Sequence, residues 1–207
     1  MRNTDFSVIE EPNKVYILGS KGVGKTSFMR KLFNFSFDEK IASTEIGIQT
    51  SRLNMENKFF TIKELTDNDD FKCTTIFKND IEQVLIIFII FSLTDKESCE
   101  YMKRLIEIIG HSIIDNIGLE IIICGNKLDI VQKNKGKRMV DTNEMEKYAL
   151  NIRNCKYLEI SCKTNENIDH IMNILKEYEI PQLDEEKIEL EEEKENLQKN
   201  GASCKII

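Results

Sequence analysis

The sequence predicts an α/β protein built on a six-stranded, mostly parallel sheet with helices on both faces. Three observations predict it. The runs "VLIIFIIF" (84–91) and "LEIIIC" (119–124) are continuously apolar and of strand length, the pattern of strands covered on both sides. Segments with helical spacing alternate with such runs, which favours a parallel sheet sandwiched by helices. Near the N-terminus a short apolar run ends in a glycine turn that opens directly into a helix.

Taken in order, "KVYILGS" (14–20) is the first strand with its turn, and "GKTSFMRKLFNF" (24–35) the first helix, with Phe28, Leu32 and Phe35 spaced four and three apart. "IGIQTSRL" (46–53) and "KFFTIKEL" (58–65) are joined by "NMEN", whose asparagines suit a turn, so the pair is predicted as an antiparallel hairpin. "VLIIFIIF" and "LEIIIC" form the centre of the sheet. Between them "DKESCEYMKRLIEIIG" has helical spacing and is expected to end on Gly110. "TNEMEKYALNIRN" carries Met145, Ala149 and Ile152 on one face, and a short strand leads into "EISCK" (159–163). In "TNENIDHIMNILKEY" Ile168, Ile171, Met172 and Leu175 fall at i, i+3, i+4 and i+7 behind capping-type residues, which predicts the last helix.

The domain is expected to run from residue 13 to 180, after a flexible N-terminus (1–12) and before an acidic tail (181–207). A chain of 207 residues with 41% hydrophobic content can bury one good core. The net charge of −7 excludes an ordinary nucleic-acid binder, which needs a basic face. Six cysteines stand without a C-x-x-C pair, and two histidines, His111 and His170, have no partner at ligand spacing and read as surface residues, so a reduced, cytosolic chain without a zinc site is expected. The longest apolar run is far shorter than the roughly 20 residues that span a bilayer, and the N-terminus "MRNTDFSVIEEPNK" places acids where an export signal needs apolar residues. Neither export nor membrane spanning is expected.

The chemistry begins at "GSKGVGKT", Gly19 to Thr26, which matches G-x-x-x-x-G-K-[ST] in full. Glycines let the backbone curl so that the N–H groups of Ser20, Lys21, Gly22, Val23, Gly24, Lys25, Thr26 and Ser27 point at phosphate oxygens. Lys25 adds a cation at the terminal phosphates, and the Thr26 hydroxyl suits Mg²⁺. An incidental glycine turn would share some of these letters, but the strand before and the helix after supply the context the motif requires. "GNKLD" (125–129) follows a strand directly, at the edge where open α/β sheets bind ligands. A carboxylate there, Asp129, can accept from both the N1–H and the exocyclic amine of guanine, a pair adenine does not offer. In "EISCK" backbone N–H groups are placed to receive the guanine O6.

With these motifs in this order, residues 13 to 180 resemble a small GTPase of the Ras superfamily, most like its Rab and Ras branches, whose P-loop NTPase fold is the sheet predicted above. The resemblance implies GTP or GDP with Mg²⁺ as ligands. Asn126, Lys127 and Asp129 match its base-recognition N-K-x-D, and Ser161, Cys162 and Lys163 its S-A-K. Phe37 corresponds to a phenylalanine that packs on the guanine, with core packing as the competing role. Thr44, eighteen residues beyond Thr26, corresponds to the first-switch threonine that closes on Mg²⁺ and the γ-phosphate, next to an inserted Glu45. Metal ligands are then Thr26 and Thr44. The second switch, D-x-x-G-Q in the family, reads Glu64-Leu65-Thr66-Asp67-Asn68. Glu64 replaces an aspartate that holds a Mg²⁺-bound water, Asp67 a glycine beside the γ-phosphate, and Asn68 the glutamine that positions the attacking water. Lys21 stands where Ras-type members have glycine. Lys25 and Asn68 are the catalytic candidates.

The resemblance also implies exchange factors, GTPase-activating proteins and effectors as protein partners. The ending "CKII" places Cys204 fourth from the C-terminus, the C-a-a-X prenylation position, although Lys205 fits it poorly. A prenyl-binding chaperone and reversible association with the cytoplasmic face of a membrane follow. The run Glu189 to Glu195 reads as a solvated spacer. Two functions remain: a nucleotide-dependent switch in signalling or vesicle traffic that hydrolyses GTP slowly, and a guanine-nucleotide-binding interaction module that does not hydrolyse it. A P-loop ATPase or kinase is opposed by "NKLD".

Overall fold

The structure, a computed structural model, describes residues 13–39, 48–65, 83–113, 116 and 118–179. Its sheet joins β1 (Lys14–Leu18), β2 (Ile48–Met55), β3 (Lys58–Leu65), β4 (Val84–Ser92), β5 (Glu120–Asn126) and β6 (Cys155–Glu159) in the order β2-β3-β1-β4-β5-β6. Only β2 runs antiparallel to its neighbour, as the strand order of a hairpin followed by crossovers requires. The helices are α1 (Lys25–Leu32), α2 (Lys96–Ile113), α3 (Leu128–Lys133), α4 (Thr142–Leu150) and α5 (Ile168–Glu177).

Two apolar clusters fill the two faces. On one, α1 and α5 bring Phe28, Leu32, Ile171 and Leu175 onto Val15, Ile17, Phe88 and Ile122. On the other, α2, α3 and α4 bring Met102, Ile109, Val131 and Met145 onto Tyr16, Ile87, Ile89 and Ile123. Every residue of β4 is buried, so its unbroken apolar run is what a strand packed on both faces demands. Among the described residues no helix is long and apolar enough to cross a membrane.

The structure departs from the sequence expectation at several element ends. Phe35 is 56% exposed beneath the Arg30 guanidinium rather than on the core face of α1. The helix stops at Leu32, and Asn34 takes a left-handed φ of 59°, which the periodicity of the apolar residues does not encode. α2 runs through Gly110 to Ile113, since a glycine inside a helix costs only about 1 kcal/mol. Ile152 lies beyond the end of α4 yet packs against the core from the turn that follows. The hairpin turn is the two residues Glu56 and Asn57, both at positive φ, because Asn54 and Met55 still pair with Phe59 and Lys58. Asn167 precedes α5 without capping it, and its side-chain amide donates instead to the Glu159 carbonyl at 2.7 Å. His170 is exposed on α5.

Phe88 sits at the middle of β4 with its ring 5.1 Å from that of Phe28. Phe88→Ala should therefore cost about 3–5 kcal/mol of unfolding free energy, measured by urea titration at fixed nucleotide and Mg²⁺.

Candidate functional site

The phosphate-loop and base-loop candidates among the described residues, with Glu64, lie at the carboxyl ends of β1, β3, β5 and β6, on one edge of the sheet. The loop after β1 starts at Gly19, whose φ is +142° and where a Cβ would lie 2.1 Å from the Ile90 carbonyl oxygen. No side chain fits there. The loop closes at Gly24, φ +103°, and the Gly24 carbonyl accepts the Phe28 N–H at 2.8 Å to begin α1. Ser20, Thr26 and Ser27 are half-buried on it, Val23 is buried, and Lys21 and Gly22 are exposed at its tip. Lys25 is buried and curls back so that its ammonium donates to the carbonyls of Gly19 (2.9 Å) and Ser20 (3.0 Å). A cation held inside a ring of backbone is placed to meet an anion there.

Asn126 joins this loop to the base loops. Its side-chain Nδ2 donates to the Val23 carbonyl at 2.8 Å, and its Oδ1 accepts the Cys162 N–H at 3.2 Å. The sequence reading assigns Asn126 to guanine selection and the "EISCK" amides to the guanine O6. In the structure the Asn126 side chain spans the two loops, and the Cys162 amide points at Asn126. A Cβ on Gly24 would stand 2.4 Å from Asn126 Nδ2, so the glycine is needed for this approach as well as for its φ.

Asp129 is buried at the start of α3, and its Oδ1 accepts the Ser161 hydroxyl at 2.8 Å. Ser161 Oγ in turn accepts the Thr164 N–H at 3.1 Å, so the carboxylate is fixed by the loop after β6. Lys127 holds a left-handed φ of 70° that turns the chain into α3. On the opposite rim Phe37 packs against the core cluster under the Lys163 ammonium, 5.8 Å from its ring centre, and Lys163 also pairs with Glu39. Burial pushes the Cys162 thiol up to about 12, so it remains a neutral small side chain against the loop.

The loop after β6 is braced from behind. Arg138 donates both guanidinium nitrogens to Glu159 at 2.7 Å each, and the Thr142 and Tyr157 hydroxyls add bonds at 2.8 and 3.0 Å. Burial pushes the Glu159 carboxyl up, but the hydrogen bonds from Arg138, Thr142 and Tyr157 hold it below its ordinary value. The pairing depends on Arg138 lying 21 positions away, and no sequence motif marks it.

Glu64, at the end of β3 and read from the sequence as the replacement of an aspartate that holds a Mg²⁺-bound water, reaches the Thr26 hydroxyl, which donates to its Oε1 at 2.7 Å. It is 1% exposed, and its Oε2 is buried without a hydrogen-bond partner. Burial pushes this carboxyl above the ordinary range, opposed by the Thr26 hydrogen bond and the Lys25 charge. A hydroxyl and an orphaned carboxylate oxygen beside the phosphate loop are the oxygen donors Mg²⁺ prefers. The residues present therefore fit the ion, and Thr26 and Glu64 would be its protein donors. Among the described residues no group of three or more His, Cys, Asp or Glu forms a cage. Thr44, Asn68 and Cys204 lie outside the described residues, as do Glu45 and Asp67.

Comparison with known proteins agrees with this geometry. The model described as "Ras family" matches residues 14–179. The human "GTP-binding protein Rhes" is 25% identical over 169 residues, covering 78% of this chain and 62% of its own length. The mouse "Ras-related protein Rab-12" is 26% identical over 174 residues, covering 82% and 66% respectively. The Dictyostelium discoideum "Ras-related protein RabJ" is 29% identical over 167 residues, covering 78% and 60%. The chain thus matches about three fifths to two thirds of the length of these relatives. With a family match spanning the whole sheet and the site at its carboxyl edge, the chain belongs to the Ras family of small GTPases.

Proposed function

We propose that this chain is a guanine-nucleotide-dependent switch that holds GTP or GDP with Mg²⁺ and changes its protein partners with the nucleotide state. The observation that carries the reading is the fixed Asp129 carboxylate, held by Ser161 at 2.8 Å, on a loop that Asn126 fastens to the phosphate loop at 2.8 Å. Phosphate and base recognition are thereby set at one spacing. Backbone amides from Ser20 to Ser27 with Lys25 would hold the phosphates, Thr26 and Glu64 the metal, and Asp129 the base, with Lys127, Phe37 and Lys163 covering its faces. The bound Mg²⁺ would neutralise phosphate charge. Exchange factors, GTPase-activating proteins and effectors are the partner classes of such a switch, in signalling or vesicle traffic.

Slow hydrolysis is the second part of the proposal, and it rests on the sequence of the second switch. Asn68 in the place of a water-positioning glutamine is about 1.5 Å short, one carbon–carbon bond. Asp67 stands in the sequence where the family has a glycine beside the γ-phosphate, and a carboxylate near that phosphate would disfavour GTP more than GDP. The same two residues favour, as an alternative, a module that binds guanine nucleotide without cutting it. Membrane association through a prenylated Cys204 would be weak and reversible. One chain is a marginal anchor, and residues 182–207 carry eight acids against four lysines, which an anionic leaflet repels.

The purified protein should carry GDP or GTP and no adenine nucleotide. Asp129→Asn should weaken GDP at least about 10²-fold and favour xanthine nucleotides, whose O2 replaces the amine; equal affinity of the wild type for ATP and GTP would overturn the base assignment. In single-turnover assays Asp67→Gly together with Asn68→Gln should raise the hydrolysis rate on the order of 10²-fold and tighten GTP. A wild-type rate that the pair leaves unchanged would assign water positioning elsewhere. Cell fractionation of Cys204→Ser should show loss of the membrane-bound share, and distributions identical to wild type would remove any anchoring role.

A further inference from the structure

We propose that Glu64 ligates Mg²⁺ directly through Oε2, where the family pattern has a shorter carboxylate that reaches the ion through a water; the inference rests on the guanine-nucleotide reading above. The geometry begins with backbone position. Glu64 is locked in the sheet on both sides, paired with Ile17 of β1 and Gln49 of β2. Its backbone is thus fixed one pair from the end of β1, where the phosphate loop begins. The extra methylene of glutamate, about 1.5 Å, goes into reach along the side chain. That reach ends on the phosphate loop itself, with Oε1 taking the Thr26 hydroxyl proton at 2.7 Å.

A threonine hydroxyl can donate its proton to a carboxylate and still offer a lone pair to a cation. The contact between Thr26 and Glu64 therefore aligns two donors on one ion instead of consuming either. Glu64 Oε2 is the telling atom. It is buried in a residue 1% exposed, has no hydrogen-bond partner, and stands next to a motif whose hydroxyl is a metal donor. An ionised oxygen left in that state is costly, and a divalent cation is the partner that offsets the cost. Direct ligation also gives the ion a second protein donor that belongs to the sheet. Magnesium would then be retained without help from Thr44, in the diphosphate as well as the triphosphate state, and GDP release would be slow.

The full-length chain, loaded with a fluorescent GDP analogue, tests this by its release rate as free Mg²⁺ is titrated. Glu64→Asp restores the family residue and withdraws the carboxylate. It should raise the Mg²⁺ concentration that half-suppresses release at least about tenfold, and Glu64→Gln about 10²-fold. An aspartate variant with the same or a lower Mg²⁺ requirement would overturn direct ligation, because a water-bridged carboxylate is served as well by aspartate. A second measurement needs only the wild type, should either variant not fold. With Mn²⁺ in place of Mg²⁺ and GDP bound, line broadening by ¹⁷O-water in electron paramagnetic resonance counts the water ligands. Direct ligation leaves three of the octahedral positions to water beside Thr26, Glu64 and a β-phosphate oxygen, and a count of four would overturn it. A wild-type chain that retains no GDP at any Mg²⁺ concentration would instead defeat the nucleotide reading, a result distinct from retained GDP with a count of four.

Discussion

The site depends on one side chain. Asn126 spends its amide nitrogen on the Val23 carbonyl and its amide oxygen on the Cys162 N–H, and so binds three loops that arise from β1, β5 and β6. A buried amide that satisfies two backbone groups fixes their separation more firmly than either contact would alone, because breaking it strands two polar groups without water. The close approach it needs explains why Gly24 has no room for a side chain. Everything else at the site, the Asp129 carboxylate and the Lys25 ammonium included, is positioned relative to that tie.

Charge is distributed around this frame with an evident sign. Lys25, at the start of α1, is buried on backbone carbonyls close enough to Glu64, near the end of β3, for its charge to act on that carboxyl. A buried cation close to a buried carboxylate with one unpartnered oxygen is an arrangement suited to receive an anion and a metal together. The brace behind it is of a different kind. Arg138 and Glu159 compensate each other with two-pronged geometry and hydroxyl support, which makes them a structural pair rather than a receptive one.

What could be read from the sequence was whatever has local spacing. The phosphate loop is eight consecutive residues, the base motif five, and each follows an apolar run that identifies its strand. Sheet and helices were legible for the same reason, since an apolar run of strand length or a period of 3.6 survives in a single stretch of chain. Contacts across the fold were not. The Glu64–Thr26 bond spans 38 positions and exists because β3 pairs with β1 in one register, a fact stored in the whole sheet. The end of α1 was also hidden, because the residue that stops it, Asn34, does so by adopting a left-handed backbone that many asparagines never adopt. Likewise the two jobs of Asn126 follow from its neighbours in space. A motif letter names the residue and leaves its partners unstated.

The strand order has a consequence for how the molecule is made. β1 is synthesised first and lies in the middle of the sheet, flanked by β3 and β4, while the loop that holds Asp129 and Asn126 in place follows β6, beyond residue 159. A growing chain therefore carries a complete phosphate-loop sequence for most of its synthesis without a pocket to use it. The early strands expose apolar faces such as that of β4 until the later ones arrive. The contacts that fix Asp129 and Asn126 exist only once β6 is paired, so a nucleotide that needs them stabilises the finished sheet over any state that lacks its last strand.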